Sequence, residues 1–144
     1  MNWVYNDGGR SKYFKAIEGV GDCVCRAIAI ATETDYLDVY NLINEYAKSE
    51  RKGKRMTGNS SARNGVYKKT IKKIMEEHFG WKWTPTMLIG QGCKVHLREG
   101  ELPMGRLVVS VSGHEVAVID GVINDRYDCS RDGTRCVYGY WSKA

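Results

Sequence analysis

Hydrophobic positions in the first half of the chain recur with the helical period. Val24, Ala27, Ile28 and Ala31 stand at i, i+3, i+4 and i+7, one stripe of a short, largely buried helix, and Asp22 before them is a residue type that caps helix N-termini. Leu37, Tyr40, Ile43, Tyr46 and Ala47 repeat the spacing to about Ser49, with Thr34 or Asp35 as the cap. Tyr67, Ile71, Ile74, Met75 and His78 predict a third helix ending at Gly80, with Lys68, Lys69, Lys72 and Lys73 on its outer side. Between the second and third, "ERKGKRMTGNSSARNG" carries neither period and reads as a mobile loop, of a length often used as a lid or substrate guide.

From Trp81 onward the texture becomes that of strands: "WKWTPTM", "CKVHL", "GRLVVSVSG", "HEVAVID", "GVINDRYDC" and "TRCVYGYW". Asp120-Gly121 and Asp132-Gly133 are two-residue hairpin signals, because a type I′ turn needs positive φ at both central positions. About the first turn, His114 comes opposite Tyr127 and diagonal to Asp125 on one sheet face; about the second, Cys129 comes opposite Cys136. Trp81, Trp83, Tyr138, Tyr140 and Trp141 alternate as core strand residues do. The expectation is an α+β fold, N-terminal helices (about 19–80) packed on a C-terminal antiparallel sheet (about 81–142), and at 144 residues a single domain.

Composition narrows the class without naming a function. Hydrophobic residues at 42% and charged residues at 27% are ordinary globular values. "MNWVYNDGGRSK" has no apolar core of signal-peptide length, and no apolar run is long enough to span a membrane, so a cytoplasmic protein without membrane contact is expected. The five cysteines then read as reduced thiols. The net charge of +5 comes from one segment, Lys48 to Lys73, which holds ten Lys or Arg against the single acid Glu50. Such a block suits a host protein or nucleic acid as readily as water.

Chemistry concentrates at "GVGDCVCRAIAIAT". Cys23 falls at the first helical position, where unpaired N–H groups and the helix dipole favour thiolate. Cys25 lies roughly 200° around the axis and cannot face the same cleft. Gly19-Val20-Gly21 lets a substrate approach Cys23, although the carboxylate of Asp22 works against a thiolate. A thiol nucleophile needs an imidazole to exchange its proton and a carboxylate to orient that ring, and His114 with Asp125 supplies both. His78 and His96 have no evident carboxylate partner. Cys93-x2-His96 has zinc-ligand spacing, but Cys23-x-Cys25 is too short and Cys129-x6-Cys136 too long for the usual knuckles, so no metal is expected. Walker-type and dinucleotide-binding glycine patterns are absent, no nucleotide site is read, and no cofactor is expected.

The order Cys at a helix start, His at a strand start and Asp on the following strand resembles a minimal papain-like cysteine peptidase fold. "GDCVCRAIAIAT" with "GRLVVSVSGHEVAVIDGVINDRYDCSRDGTRCVYGYW" is similar to small phage proteins of this fold, distantly akin to bacteriocin-processing peptidases, from about Gly19 to Trp141. Their motif, Asp-Cys followed two residues later by Arg-Ala, matches Asp22-Cys23 and Arg26-Ala27; His114 matches the family histidine and Asp125 the third member. The resemblance implies a thiol-dependent hydrolase of a peptide, isopeptide or other amide bond, acting on a protein or peptide in a host bacterial cytoplasm. The other reading it leaves is an inactive fold serving as a phage-encoded binding factor. The Gln that papain-like enzymes place before the nucleophile has no counterpart in "KAIEGVGDC", so Asp22, Lys15 or a backbone N–H would substitute, with Gln91 a remote candidate.

Overall fold

A computed structural model of the chain describes residues 1–15, 20–51 and 58–144. The described residues form a mixed α/β structure of three helices and one six-stranded sheet. The strands are β1 (Trp3–Tyr5), β2 (Trp81–Pro85), β3 (Arg106–Val111), β4 (His114–Ile119), β5 (Val122–Asp125) and β6 (Val137–Lys143), in the order β1-β5-β4-β3-β6-β2. Neighbours are antiparallel except β1, which runs parallel to β5 with Trp3 beside Ile123 and Tyr5 beside Asp125. The expected antiparallel sheet is therefore mixed, and its edge strand comes from an N-terminal segment of three exposed residues, too short for any period to show. Among the described residues no helix is long and apolar enough to cross a membrane.

Helix α1 (Cys23–Thr32) buries the predicted stripe of Val24, Ala27, Ile28 and Ala31 and, beyond it, every other residue from Val24 to Ala31. It lies with α2 (Tyr36–Ala47) over one face of the sheet, where Ile28, Val39 and Ile43 meet Val108, Ala117 and Trp141. The third helix begins as α3 (Lys68–Lys73) and continues as a π-helical turn, Ile74–His78, before Gly80 reverses the chain at φ +71°. The other sheet face is covered by connecting segments, with Leu97 and Cys129 packed on Val109, Val116, Val118 and Ile123.

The described part of the 50–65 loop is pinned. Glu50 accepts hydrogen bonds from the backbone N–H of Ser60 (2.7 Å) and from the Ser60 and Thr70 hydroxyls, while Asn59 donates to the Ala47 carbonyl at 2.7 Å. Residues 52–57 of that loop, and with them part of the basic block, lie outside the described residues.

The two Asp-Gly turns behave differently. Asp120 and Gly121 adopt φ +47° and +79°, and the pairs Ala117–Asn124, Val118–Ile123 and Ile119–Val122 follow the predicted register. At the second, Arg131 joins Asp132 and Gly133 at positive φ (53°, 56° and 76°), which widens the turn and delays β6 to Val137. Cys129 and Cys136 are therefore not cross-strand partners. Cys136 is joined by a disulfide to Cys93, and an isolated bridge sets His96 beside it, where "CKVHL" had predicted a strand. The expectation of five reduced thiols is corrected to three free cysteines, Cys23, Cys25 and Cys129. His96 also has the carboxylate partner that spacing did not reveal: Nδ1 lies 3.3 Å from Glu101.

Candidate active site

Cys23 opens α1, half-buried, at the point where the helix meets the sheet. The first i→i−4 bond of the helix runs from the Arg26 N–H to the Asp22 carbonyl, so the N–H groups of Cys23, Val24 and Cys25 stand ahead of the ladder. The Asp22 side chain, the predicted cap, makes no capping bond. It is fully buried and its oxygens are taken by the Arg26 guanidinium, by Arg10 (3.5 Å) and by the Tyr36 hydroxyl (2.6 Å). This corrects two readings. Asp22 cannot serve as an oxyanion donor, and its charge is offset by two guanidiniums rather than aimed at Cys23.

His114 begins β4 just after Gly113, a turn residue at φ +63°. Its Nε2 lies 2.7 Å from Oδ2 of Asp125, the last residue of β5, as the hairpin register predicts. Asp125 is held on two further sides, by Arg26 Nη2 at 3.2 Å and by the Arg126 backbone N–H at 2.7 Å. The exposed Tyr127 ring stands 5.7 Å from the imidazole between centroids. The Cys23 and Cys129 thiols both interact electrostatically with the His114 ring. The three predicted residues are thus brought together, and Cys129 joins them unpredicted.

Electrostatics sort the roles. Burial alone would lower the pKa of His114, but the hydrogen bond with Asp125 and the interactions with Cys129 and Cys23 outweigh it and push the ring up to about 12, favouring the imidazolium. Burial would raise Asp125, yet the imidazolium, the Arg126 N–H and Arg26 hold it below the usual carboxylate value. Cys25, buried with Sγ 3.7 Å from the Tyr36 carbonyl, is pushed up to about 12 by desolvation, and burial also raises Cys129. Cys23 is left as the accessible thiol beside a cation.

Donor atoms of His114, Asp125 and Cys129 lie within 4.8 Å of one another, a set able to hold a metal ion. His114 and Asp125 already satisfy each other, however, and the raised pKa of Cys129 favours its protonated form. Among the oxyanion candidates, Lys15 is exposed beside Tyr13, Phe14 and Tyr40, and Gln91 engages Lys94 at 2.7 Å in an exposed turn. Gly19 lies outside the described residues. Gly21 packs closely on the 58–65 segment: a Cβ there would stand 3.0 Å from the Asn64 carbonyl oxygen.

Sequence reasoning missed Arg10, Tyr36 and Cys129. Arg10 follows a Gly-Gly turn and looks solvent-facing in sequence, yet it is 2% exposed and donates to the Tyr36 hydroxyl at 2.8 Å. No family model matches the chain, nor does any curated protein or solved structure.

Proposed function

We propose that the chain is a papain-like cysteine hydrolase whose nucleophile is Cys23. The observation that supports it is the meeting of a half-exposed thiol at a helix start with an imidazole whose far nitrogen is fixed by a buried carboxylate.

In the reaction, the Cys23 thiolate adds to an amide carbonyl and the oxyanion takes N–H groups of the first helical turn. The C–N bond then breaks as His114 passes its proton to the departing amine, leaving a thioester. Neutral His114 next removes a proton from water, whose oxygen attacks the thioester. The acid is released and the thiolate–imidazolium pair returns. An amine in place of water gives acyl transfer by the same steps. Asp125 orients the ring throughout, and Arg26 orients Asp125.

Trapping tests this proposal. A peptidyl chloromethyl ketone should place one thioether on Cys23, with Cys25 and Cys129 unmodified by mass spectrometry. Modification should vanish in Cys23→Ala and slow by at least about tenfold in His114→Ala. Labelling spread over the three free thiols, or none, would favour the other reading, a binding factor working through the basic segment from Lys48 to Lys73, in which Lys68, Lys69, Lys72 and Lys73 are exposed.

A further inference from the structure

Successive residues of β4 face opposite sides of the sheet. His114 serves the site above, while Glu115 points to the helix side, into a cavity of about 620 Å³ between α3 and strands β2, β3 and β6. Trp81, Trp83, Trp141 and Tyr138 supply aromatic walls, and Lys68, Lys72 and Lys82 line it as well. Trp83, read from sequence as a core residue, is 37% exposed here. Its indole lies against Gly139, where a Cβ would fall inside the ring, so this glycine lets the wall form. The residues come from positions 68 to 141 and share no local motif, which is why the absence of glycine-rich phosphate loops says nothing about this place.

Glu115 is 7% exposed, and its Oε2 accepts no hydrogen bond from any described residue. Ser110, its cross-strand partner, interacts with the carboxyl, and Lys68, 5.1 Å above the Tyr138 ring, is the nearby cation. Burial pushes the Glu115 carboxyl up to about 7, and N–H donors from a ligand would both satisfy its unpartnered oxygen and favour the ionised form. The lining also limits what that ligand can be. Three lysines against Glu76 and Glu115 disfavour a cation. The buried carboxylate disfavours a simple anion, and three indoles favour a flat ring. What remains is a ring with N–H donors on one edge and a negative charge elsewhere.

We propose that this cavity binds a guanine nucleotide, the base stacked on the exposed Trp83 indole, its adjacent N1–H and N2–H donors on the Glu115 carboxylate, and its phosphate among the lysines. Among the bases, guanine offers two neighbouring donors on that edge. Adenine and cytosine set a ring-nitrogen lone pair beside their amino group, which would face a carboxylate oxygen. The cavity volume suits a mononucleotide. This site is independent of the hydrolase reading.

The experiment titrates the full chain with GMP, guanosine, AMP and arginine amide, following tryptophan fluorescence. GMP should quench and saturate, AMP should bind at least about tenfold more weakly, and arginine amide should not compete. Glu115→Gln, checked for folding by thermal unfolding, should erase or reverse the GMP preference, because an amide offers one donor beside one acceptor. Lys72→Glu, a change at an exposed position, should weaken GMP but leave guanosine unaffected. Equal binding of GMP and AMP, displacement of GMP by arginine amide, or indifference of GMP to both substitutions would overturn the assignment.

Discussion

Replacing Cys23 by Ala is expected to abolish turnover of any acyl substrate the protein accepts, a loss on the order of 10⁴-fold or more, with the fold retained. The side chain is small and half-buried at the helix start, so its removal leaves the packed stripe from Val24 to Ala31 in place. His114→Ala should cost a similar factor. Because thiolate and imidazolium act as one unit, the double variant should be little worse than either single one. Additive losses would mean that the two groups do not work on the same step. A chromogenic ester or thioester serves as the substrate, read as product release and as acyl-enzyme mass.

Asp22→Ala is expected to destabilise the protein by about 3–5 kcal/mol, the usual result of removing one partner from a buried ion pair. Two guanidiniums, Arg10 and Arg26, would lose their shared carboxylate, and the Tyr36 hydroxyl would lose its acceptor. None of these side chains has room to reach water, since Arg10, Arg26 and Asp22 are all buried. Denaturant unfolding with an unchanged m-value measures the effect. A loss below about 1 kcal/mol, the value of an exposed pair, would show that this network contributes little. The pH dependence has a definite sign. The raised pKa of His114 gives stability that is complete below the ordinary histidine value of 6.5 and is lost only as pH climbs through the raised one. The lowered pKa of Asp125 gives stability present above 3.8 and lost as pH falls through its folded value.

Local pattern carried α1, α2 and the 120–121 hairpin because each rests on interactions a few residues apart: a helical stripe, an Asp35 cap accepting from the Leu37 N–H, and a turn whose positive φ values set the register. That register placed His114 next to Asp125. Sequence could not show β1, whose three residues pair with a strand far along the chain, nor the burial of Arg10, which depends on meeting Asp22 and Tyr36 in space. Asp22 has the right residue type for a cap, but two buried cations compete for its carboxylate and win. Cys129 enters the site, and Cys136 leaves for Cys93, because a third positive-φ residue, Arg131, opens a turn that spacing alone reads as tight.

The most direct test of the central claim is the rate of Cys23 alkylation by iodoacetamide as a function of pH, resolved by peptide mass. A thiolate paired with the His114 imidazolium should react at a nearly constant rate down through pH 6, and there exceed the His114→Ala variant by about tenfold once the lower nucleophilicity of a low-pKa thiolate is counted. In that variant the rate should fall tenfold per unit below about pH 8.5, as for an ordinary thiol. The same falling slope in both proteins would contradict the pairing, and with it the assignment of Cys23 as the nucleophile.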